Sequence, residues 1–228
     1  MKPGRDARAQ DGRPPGKAGP GRKRFLDWEA DHRIRNSLQL VASLLSTEAR
    51  EVGNTDAAAC LKDAAARINA IARLHDSLSS ASGEAVELTS YLEAICADVR
   101  VASGCDRRGV DLHVQGDAVW LASERALLIG LIVNELTTNA IKYAYPDGGG
   151  AVRVRVESED AFAHYVVTVE DDGPGLVPGA TSPDRLHGLQ IIDRLASRLG
   201  GLLRVGSPRR EHGLTVEVLV PRRAAGGR

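Results

Sequence analysis

The pattern of apolar and polar positions changes character twice along the 228 residues. Through Arg24 apolar side chains are scarce and Gly and Pro recur (GRPPGKAGPGRKR). Such a stretch cannot bury enough surface to offset its ordering entropy, so residues 1–24 are expected to form a disordered basic tail. From Asp27, a suitable helix N-cap, Ile34, Leu38, Val41 and Leu45 recur at helical spacing and form one apolar stripe. The chain breaks at Val52-Gly53-Asn54-Thr55. Leu61, Ala64, Ile68, Ile71, His75 and Leu78 then make a second, heptad-like stripe that ends at Ser79 to Gly83. Two helices on a short loop predict a helical hairpin over residues 25–82. Pairing with a second copy as a four-helix bundle would cover its apolar stripes, and packing against the rest of the chain is the alternative.

Beyond Gly83 the periodicity is mixed. Residues 87–102 read as a helix, Val110 to Val114 as a short strand, and 123–145 as a long helix with Leu127, Leu131, Leu136 and Ile141 on one face. Val152, Val154 and Val156 alternate with Arg153, Arg155 and Glu157, the period-two signature of a half-exposed strand. Tyr165 to Glu170 reads as a strand, Leu186 to Leu199 as a helix, and Leu202 to Val205 and Leu214 to Val220 as two more strands. The fold class is therefore α+β: a helical hairpin, then an α/β sandwich over 87–221 with helices on one face of a mixed sheet, and a short tail at 222–228.

Composition narrows this picture. The chain is 43% hydrophobic and 26% charged but only 4% aromatic, so the core must be aliphatic and a broad aromatic binding platform is excluded. Net charge is zero, yet residues 1–24 carry +6 and residues 222–228 carry +3, which leaves an acidic body of −9. Pro/Gly-rich basic ends are read as solvated tails, with no nucleic-acid partner assigned. No apolar run reaches the ~20 residues of a membrane span, and no signal-peptide core precedes Phe25, so the expected location is cytoplasmic. Cys60, Cys96 and Cys105 lack CxxC spacing and are expected to be reduced and mostly buried.

Three patches in the α/β part carry candidate chemistry. Asn134 to Tyr143 (NELTTNAIKY) places Glu135 and Asn139 four residues apart on one helix face, where a carboxylate and an amide oxygen can hold hydrated Mg²⁺ against a triphosphate. Lys142, one turn on, can neutralise phosphate charge. Asp171-Asp172-Gly173-Pro174-Gly175 ends a strand with a carboxylate able to accept from an adenine amino group, beside glycines that let backbone approach a base; a plain turn is the alternative. Gly188 precedes Leu189-Gln190-Ile191-Ile192, so phosphates could sit on a glycine-opened helix N-terminus, and neighbouring His187 could touch them. No P-loop or dinucleotide fingerprint occurs.

Together, in this order, these patches resemble the ATP site of the GHKL superfamily, the Bergerat fold of histidine kinases, gyrase and Hsp90-type ATPases. The resemblance implies ATP and Mg²⁺ as cofactors, Asn139 as the metal ligand, Glu135 as the residue that organises its water or polarises the attacking group, and Lys142 and Tyr143 flanking nucleotide. It further implies Asp171, Gly173, Gly175, Gly188 and the late Thr215 in nucleotide binding, with Leu176 to His187 as a short lid.

The hairpin narrows the class. In Asp31-His32-Arg33-Ile34-Arg35-Asn36-Ser37-Leu38-Gln39, His32 lies about 200° around the helix from Ile34, opposite the stripe. Its imidazole is nucleophilic near neutral pH, and Asp31 could orient it or take its proton. This run resembles the phosphoacceptor box of HWE-like histidine kinases and their relatives, with Ile34, Arg35 and Ser37 as departures. The resemblance implies a homodimeric kinase core that autophosphorylates His32 and passes the phosphoryl group to a response-regulator receiver aspartate. Other readings are a non-catalytic phosphotransferase, an anti-sigma-type serine kinase and a regulator-binding adaptor. About 24 residues ahead of the hairpin are too few for a sensor domain, so a separate sensor protein, or a portion outside this chain, is expected to supply the signal. Residues near Gly83 are the expected hinge.

Overall fold

The structure is a computed structural model. It describes the backbone of residues 20–80, 85–159, 163–175, 183–206 and 213–222, and their side chains except at 20–33, 63, 76–80 and 183–187. Helix α1 (Pro20–Glu51) and helix α2 (Thr55–Ser80) form the hairpin. Asp27 is not the cap of α1. The helix starts at Pro20, a residue whose missing N–H costs nothing in a first turn, and so takes in the last five residues assigned to the basic tail. At the turn Asn54 Oδ1 accepts from Asp56 N (2.9 Å) and Ala57 N (3.0 Å), satisfying two donors that the start of α2 would otherwise leave unpaired.

The hairpin closes on small residues. Ala42 and Ala49 of α1 and Ala65 and Ala72 of α2 are buried at heptad spacing, a seam that lets the two backbones approach closely. The larger apolar residues of α1 stay outside: Ile34 and Val41 are exposed, as are Leu40 and Leu44 at 61% each. Leu38 and Leu45, and Leu61, Ala64, Ile68, Ile71 and His75 of α2, are half-buried. The stripe legible in the sequence is thus an outer face of the hairpin more than its internal seam.

The α/β part is a five-stranded sheet in the order β2 (Val110–Gly116), β4 (Gly150–Glu159), β5 (His164–Asp171), β7 (Leu214–Pro221), β6 (Leu202–Gly206). Among the described strands only β2 and β4 run parallel. Helices α3 (Leu88–Ser103), α5 (Ser123–Tyr143) and α6 (Pro183–Arg198) supply the helical layer, and Cys105–Arg108 forms a single turn, α4. Two three-residue strands, β1 (Ala85–Glu87) and β3 (Trp120–Ala122), pair antiparallel beside this layer. They are too short for any periodicity to announce.

Alternation places the core. Val152, Val154 and Val156 are fully buried and register with Asp171, Val169 and Val167, which in turn face Leu214, Val216 and Val218. These positions form one inner face under the helices, while Arg153 and Arg155 pair with Glu170 on the other (3.2 and 2.9 Å). On α5 the buried positions are Ala126, Ile129, Gly130, Ile132, Val133, Leu136, Thr137, Ala140 and Ile141; Leu127 and Leu131 are only partly buried. The face of α5 turned inward is rotated from the leucine row because α3 approaches closely: a Cβ at Gly130 would meet Ile95 and Tyr91 at 2.8–2.9 Å. Glu87 caps α3, accepting from Thr89 N (3.0 Å) and Ser90 N (2.7 Å). Cys96 and Cys105 are buried and Cys60 is exposed, all three as free thiols. Among the described residues no helix is long and apolar enough to cross a membrane.

Candidate functional site

The site is assembled on α5. Its helical period brings Glu135, Asn139 and Lys142 along one side, where they line a cleft of ≈ 200 Å³ together with Thr138, Tyr143 and, from α2, Arg67, Ala70 and Arg73. Lys142 Nζ lies 5.0 Å from the centroid of the Tyr143 ring, a cation–π contact that holds the ammonium at the rim. One helical face further round, Leu136, Asn139 and Ala140 meet Val169 and Asp171 of β5, Leu189 of α6 and Leu214 and Val216 of β7 around a second cleft. Asn139 lines both clefts, so it stands where a polar group entering the first would join an apolar group entering the second.

Asp171 is 4% exposed, an unusual position for a carboxylate, and its Oδ1 accepts from Gly173 N (3.0 Å) and Leu214 N (3.3 Å). These bonds fix the carboxylate at the floor of the apolar cleft. The next residue does different work. Asp172 turns to the opposite side, accepting from the Tyr145 hydroxyl and from Ala151 N (3.0 Å), and its own N–H donates back to Tyr145 Oη (2.9 Å). Burial alone would raise the Asp172 pKa, but the Tyr145 hydrogen bond, the Ala151 amide and the Arg153 charge bring it below the usual carboxylate value. Burial and the same carboxylate push the Tyr145 phenol upward. The Asp172–Tyr145 pair thereby ties the end of α5 to the end of β5 and holds Asp171 in place.

The glycines allow close approach. A Cβ at Gly173 would fall 2.4 Å from the Ala144 methyl, one at Gly175 (φ 73°) 2.7 Å from Gly213 O, and one at Gly188 3.0 Å from Asn139 Nδ2. Gly188, however, does not open a helix. α6 begins at Pro183, so Gly188 is its sixth residue, past the first four N–H groups that a helix leaves unpaired. It admits the Asn139 side chain rather than offering free amides. The late threonine does not line this cleft. Thr215 registers with Glu170 and faces away from the cleft, while Leu214 registers with Asp171 and lines it, as period-two alternation requires.

Asp31 and His32 are on α1, but their side chains lie outside the described residues, as does that of His187. Residues 176–182 of the expected lid and the expected hinge at Gly83 also lie outside them. Sequence reasoning missed Arg67, whose Nε bonds both Glu135 oxygens at 3.1 and 3.2 Å across the first cleft. Its signal was faint: Arg67 is i+3 from Ala64 and i−4 from Ile71, a cation set on an apolar stripe. Tyr145 was missed because nothing local marks it as the partner of Asp172.

Comparison with known proteins places this geometry. Residues 29–102 match the histidine kinase family model, and residues 124–224 match the family of histidine kinase-, DNA gyrase B- and HSP90-like ATPases. The chain belongs to the histidine kinase family. It is 34% identical over 196 residues to the sensor histidine kinase PdtaS of Mycobacterium tuberculosis, covering 85% of this chain and 38% of PdtaS. It is 29% identical over 184 residues to blue-light-activated histidine kinase 2 of Erythrobacter litoralis, covering 78% of this chain and 52% of that protein. Among solved structures, the Erythrobacter litoralis EL346 blue-light activated histidine kinase superposes with a TM-score of 0.59 at 26% identity, over 90% of this chain and 64% of that one. The histidine kinase domain from the same protein gives 0.58 at 26% identity, over 82% and 95%. The chain therefore spans well under two thirds of the curated relatives it matches.

Proposed function

We propose that this chain is the catalytic core of a two-component histidine kinase, which transfers the γ-phosphoryl group of ATP to His32 and then to a response-regulator aspartate. The observation that carries this reading is Asn139: one amide side chain borders both the cleft lined by Glu135 and Lys142 and the apolar cleft floored by the buried carboxylate of Asp171. A nucleotide has the same division, charged at one end and flat and apolar at the other.

The residues fit a magnesium nucleotide. Asn139 would hold the ion, with Glu135 orienting its water, and bound Mg²⁺ would supply charge neutralisation along the phosphates. Lys142 adds a cation on the same side. Asp171 would accept from the adenine amino group, its position set by Gly173 N and Leu214 N. The apolar cleft has room for about one water in this state (≈ 20 Å³), so adenine entry requires the cleft to widen.

For the acceptor, the His32 imidazole attacks the γ-phosphorus as the bond to the ADP oxygen breaks, and the imidazole proton passes to Asp31. Catalysis of this kind rests on positioning and charge rather than on covalent chemistry by other groups. Counting equal lengths from the turn at Gly53, the backbone at position 32 runs beside α2 near Leu74, about 10 Å along the axis from Arg67. Leu74 belongs to the core shared with α3 and α5, so that level of the hairpin adjoins the catalytic domain. The exposed row Ile34, Leu40, Val41 and Leu44 favours a homodimer through the hairpin. A separate sensor protein, or a portion of the protein outside this chain, would supply the signal.

The test is incubation with γ-labelled ATP and Mg²⁺. Acid-labile label is expected on the wild type, none on His32→Ala, and less than a tenth of wild type on Asn139→Ala. Acid-stable label would indicate a serine kinase. Label retained on His32→Ala would remove the assignment.

A further inference from the structure

The contact between the hairpin and the nucleotide side of α5 is an ion pair. Arg67 of α2 donates through Nε to both oxygens of Glu135, at 3.1 and 3.2 Å, and the two side chains are 27% and 13% exposed. Glu135 shares its helix face with Asn139 one turn on, and both line the cleft that Arg67 borders.

We propose that Arg67 is a positioning residue that holds the Glu135 carboxylate for the hairpin until metal-bound nucleotide takes it, so that α2 and the ion compete for one side chain. The proposal rests on the reading of Glu135 as the residue that orients water on a metal ion held by Asn139. Two charge arguments support the competition. A carboxylate with both oxygens engaged by a guanidinium has less capacity to accept from a metal-bound water. A divalent cation arriving one helical turn away attracts that carboxylate and repels the guanidinium. Because linkage is reciprocal, whatever favours the ion disfavours the contact between α2 and α5. α2 is also the helix packed along α1, the helix that carries position 32. Filling the nucleotide site would therefore free the hairpin to move relative to the catalytic domain.

The experiment measures binding of a fluorescent ATP analogue to the full chain, in Mg²⁺ and separately in EDTA, for wild type, Arg67→Ala and Arg67→Lys. With Mg²⁺, Arg67→Ala is expected to bind about two- to fivefold more tightly, the size of a partly exposed ion pair. The KM for ATP should fall by the same factor with kcat not reduced. In EDTA the same variant should bind no better than wild type, because an uncompensated carboxylate then faces the phosphates. Arg67→Lys should return both values toward wild type.

A gain of equal size in both arms would mean that α2 merely obstructs the cleft, and would overturn the proposal. So would unchanged or weaker binding with Mg²⁺. If Arg67→Ala does not fold, as judged by its circular dichroism melt, Arg67→Gln carries the same test. Wild type that binds no nucleotide in either arm would overturn the nucleotide-site reading along with the proposal. Wild type that binds, with Arg67→Ala indistinguishable from it, overturns the proposal alone.

Discussion

Gly188 in α6 stands against Asn139 in α5 so closely that a Cβ added at residue 188 would lie 3.0 Å from the Asn139 amide nitrogen. Gly188 is inside a helix, where alanine is favoured over glycine by about 1 kcal/mol. Gly188→Ala should therefore leave the melting temperature unchanged or slightly raised while displacing the Asn139 amide by a few tenths of an ångström. A Mg²⁺-ATP affinity reduced about three- to tenfold is expected, since small displacements of a positioning group are costly. Calorimetry and nucleotide titration on the same sample check both halves. Unchanged affinity would show that the close Gly188–Asn139 contact does not govern nucleotide binding.

Asp171 and Asp172 are neighbours with separate duties, and their substitutions should behave differently. Asp171→Asn keeps an oxygen for Gly173 N and Leu214 N but presents an amide where a second carboxylate oxygen stood. ATP affinity should drop about tenfold, with a melting temperature within a few degrees of wild type, because one hydrogen-bond acceptor is exchanged for a donor. An equal loss for a nucleotide lacking the adenine amino group would argue against adenine contact.

Tyr145→Phe removes the hydroxyl that bonds Asp172 and should cost about 1 kcal/mol at neutral pH, with the part-exposed carboxylate limiting the effect. The folded Asp172 has a lowered pKa. Its stabilisation is thus present above the unfolded value, 3.8, and is lost as pH falls through the lower folded value. Urea titrations at several pH values should show the wild type and Tyr145→Phe converging below about pH 4. A difference that grows on acidification would contradict the assignment.

Leu40 and Leu44 are each 61% exposed, so changing them removes little from the fold of one chain. Leu40→Glu with Leu44→Glu should convert a dimer to a monomer in sedimentation equilibrium, with the helical circular dichroism signal largely retained. Wild type already monomeric at micromolar concentration would defeat the four-helix-bundle reading.

Thiol chemistry offers a simple check on packing. Burial pushes the Cys96 thiol up to about 12, burial also raises Cys105, and Cys60 is exposed. A thiolate-selective reagent should modify Cys60 rapidly in the native protein and reach Cys96 and Cys105 only in denaturant. Fast native labelling at Cys96 would mean that α3 does not pack as described.

The candidate site residues are legible in the sequence because they recur at local periods. Glu135, Asn139 and Lys142 share a helix face, and the alternating Val152, Val154 and Val156 announce a strand with one buried side. The same local reasoning recovers both helices of the hairpin and every long strand. It fails wherever the answer depends on a partner distant in the chain. Whether α1 turns its alanines or its leucines toward α2, and whether Leu214 or Thr215 meets Asp171, is settled by neighbours that no local period specifies. Gly188 reads as the opening of a helix until Pro183 is seen to begin it. Arg67 has no role that the sequence announces, and only α2 laid across α5 pairs it with Glu135. The sequence alone determined the elements and the kinds of group they carry, since periodicity and side-chain chemistry act within a few residues. The tertiary structure decided which faces meet and which charges pair, since those energies arise between segments that only folding brings together.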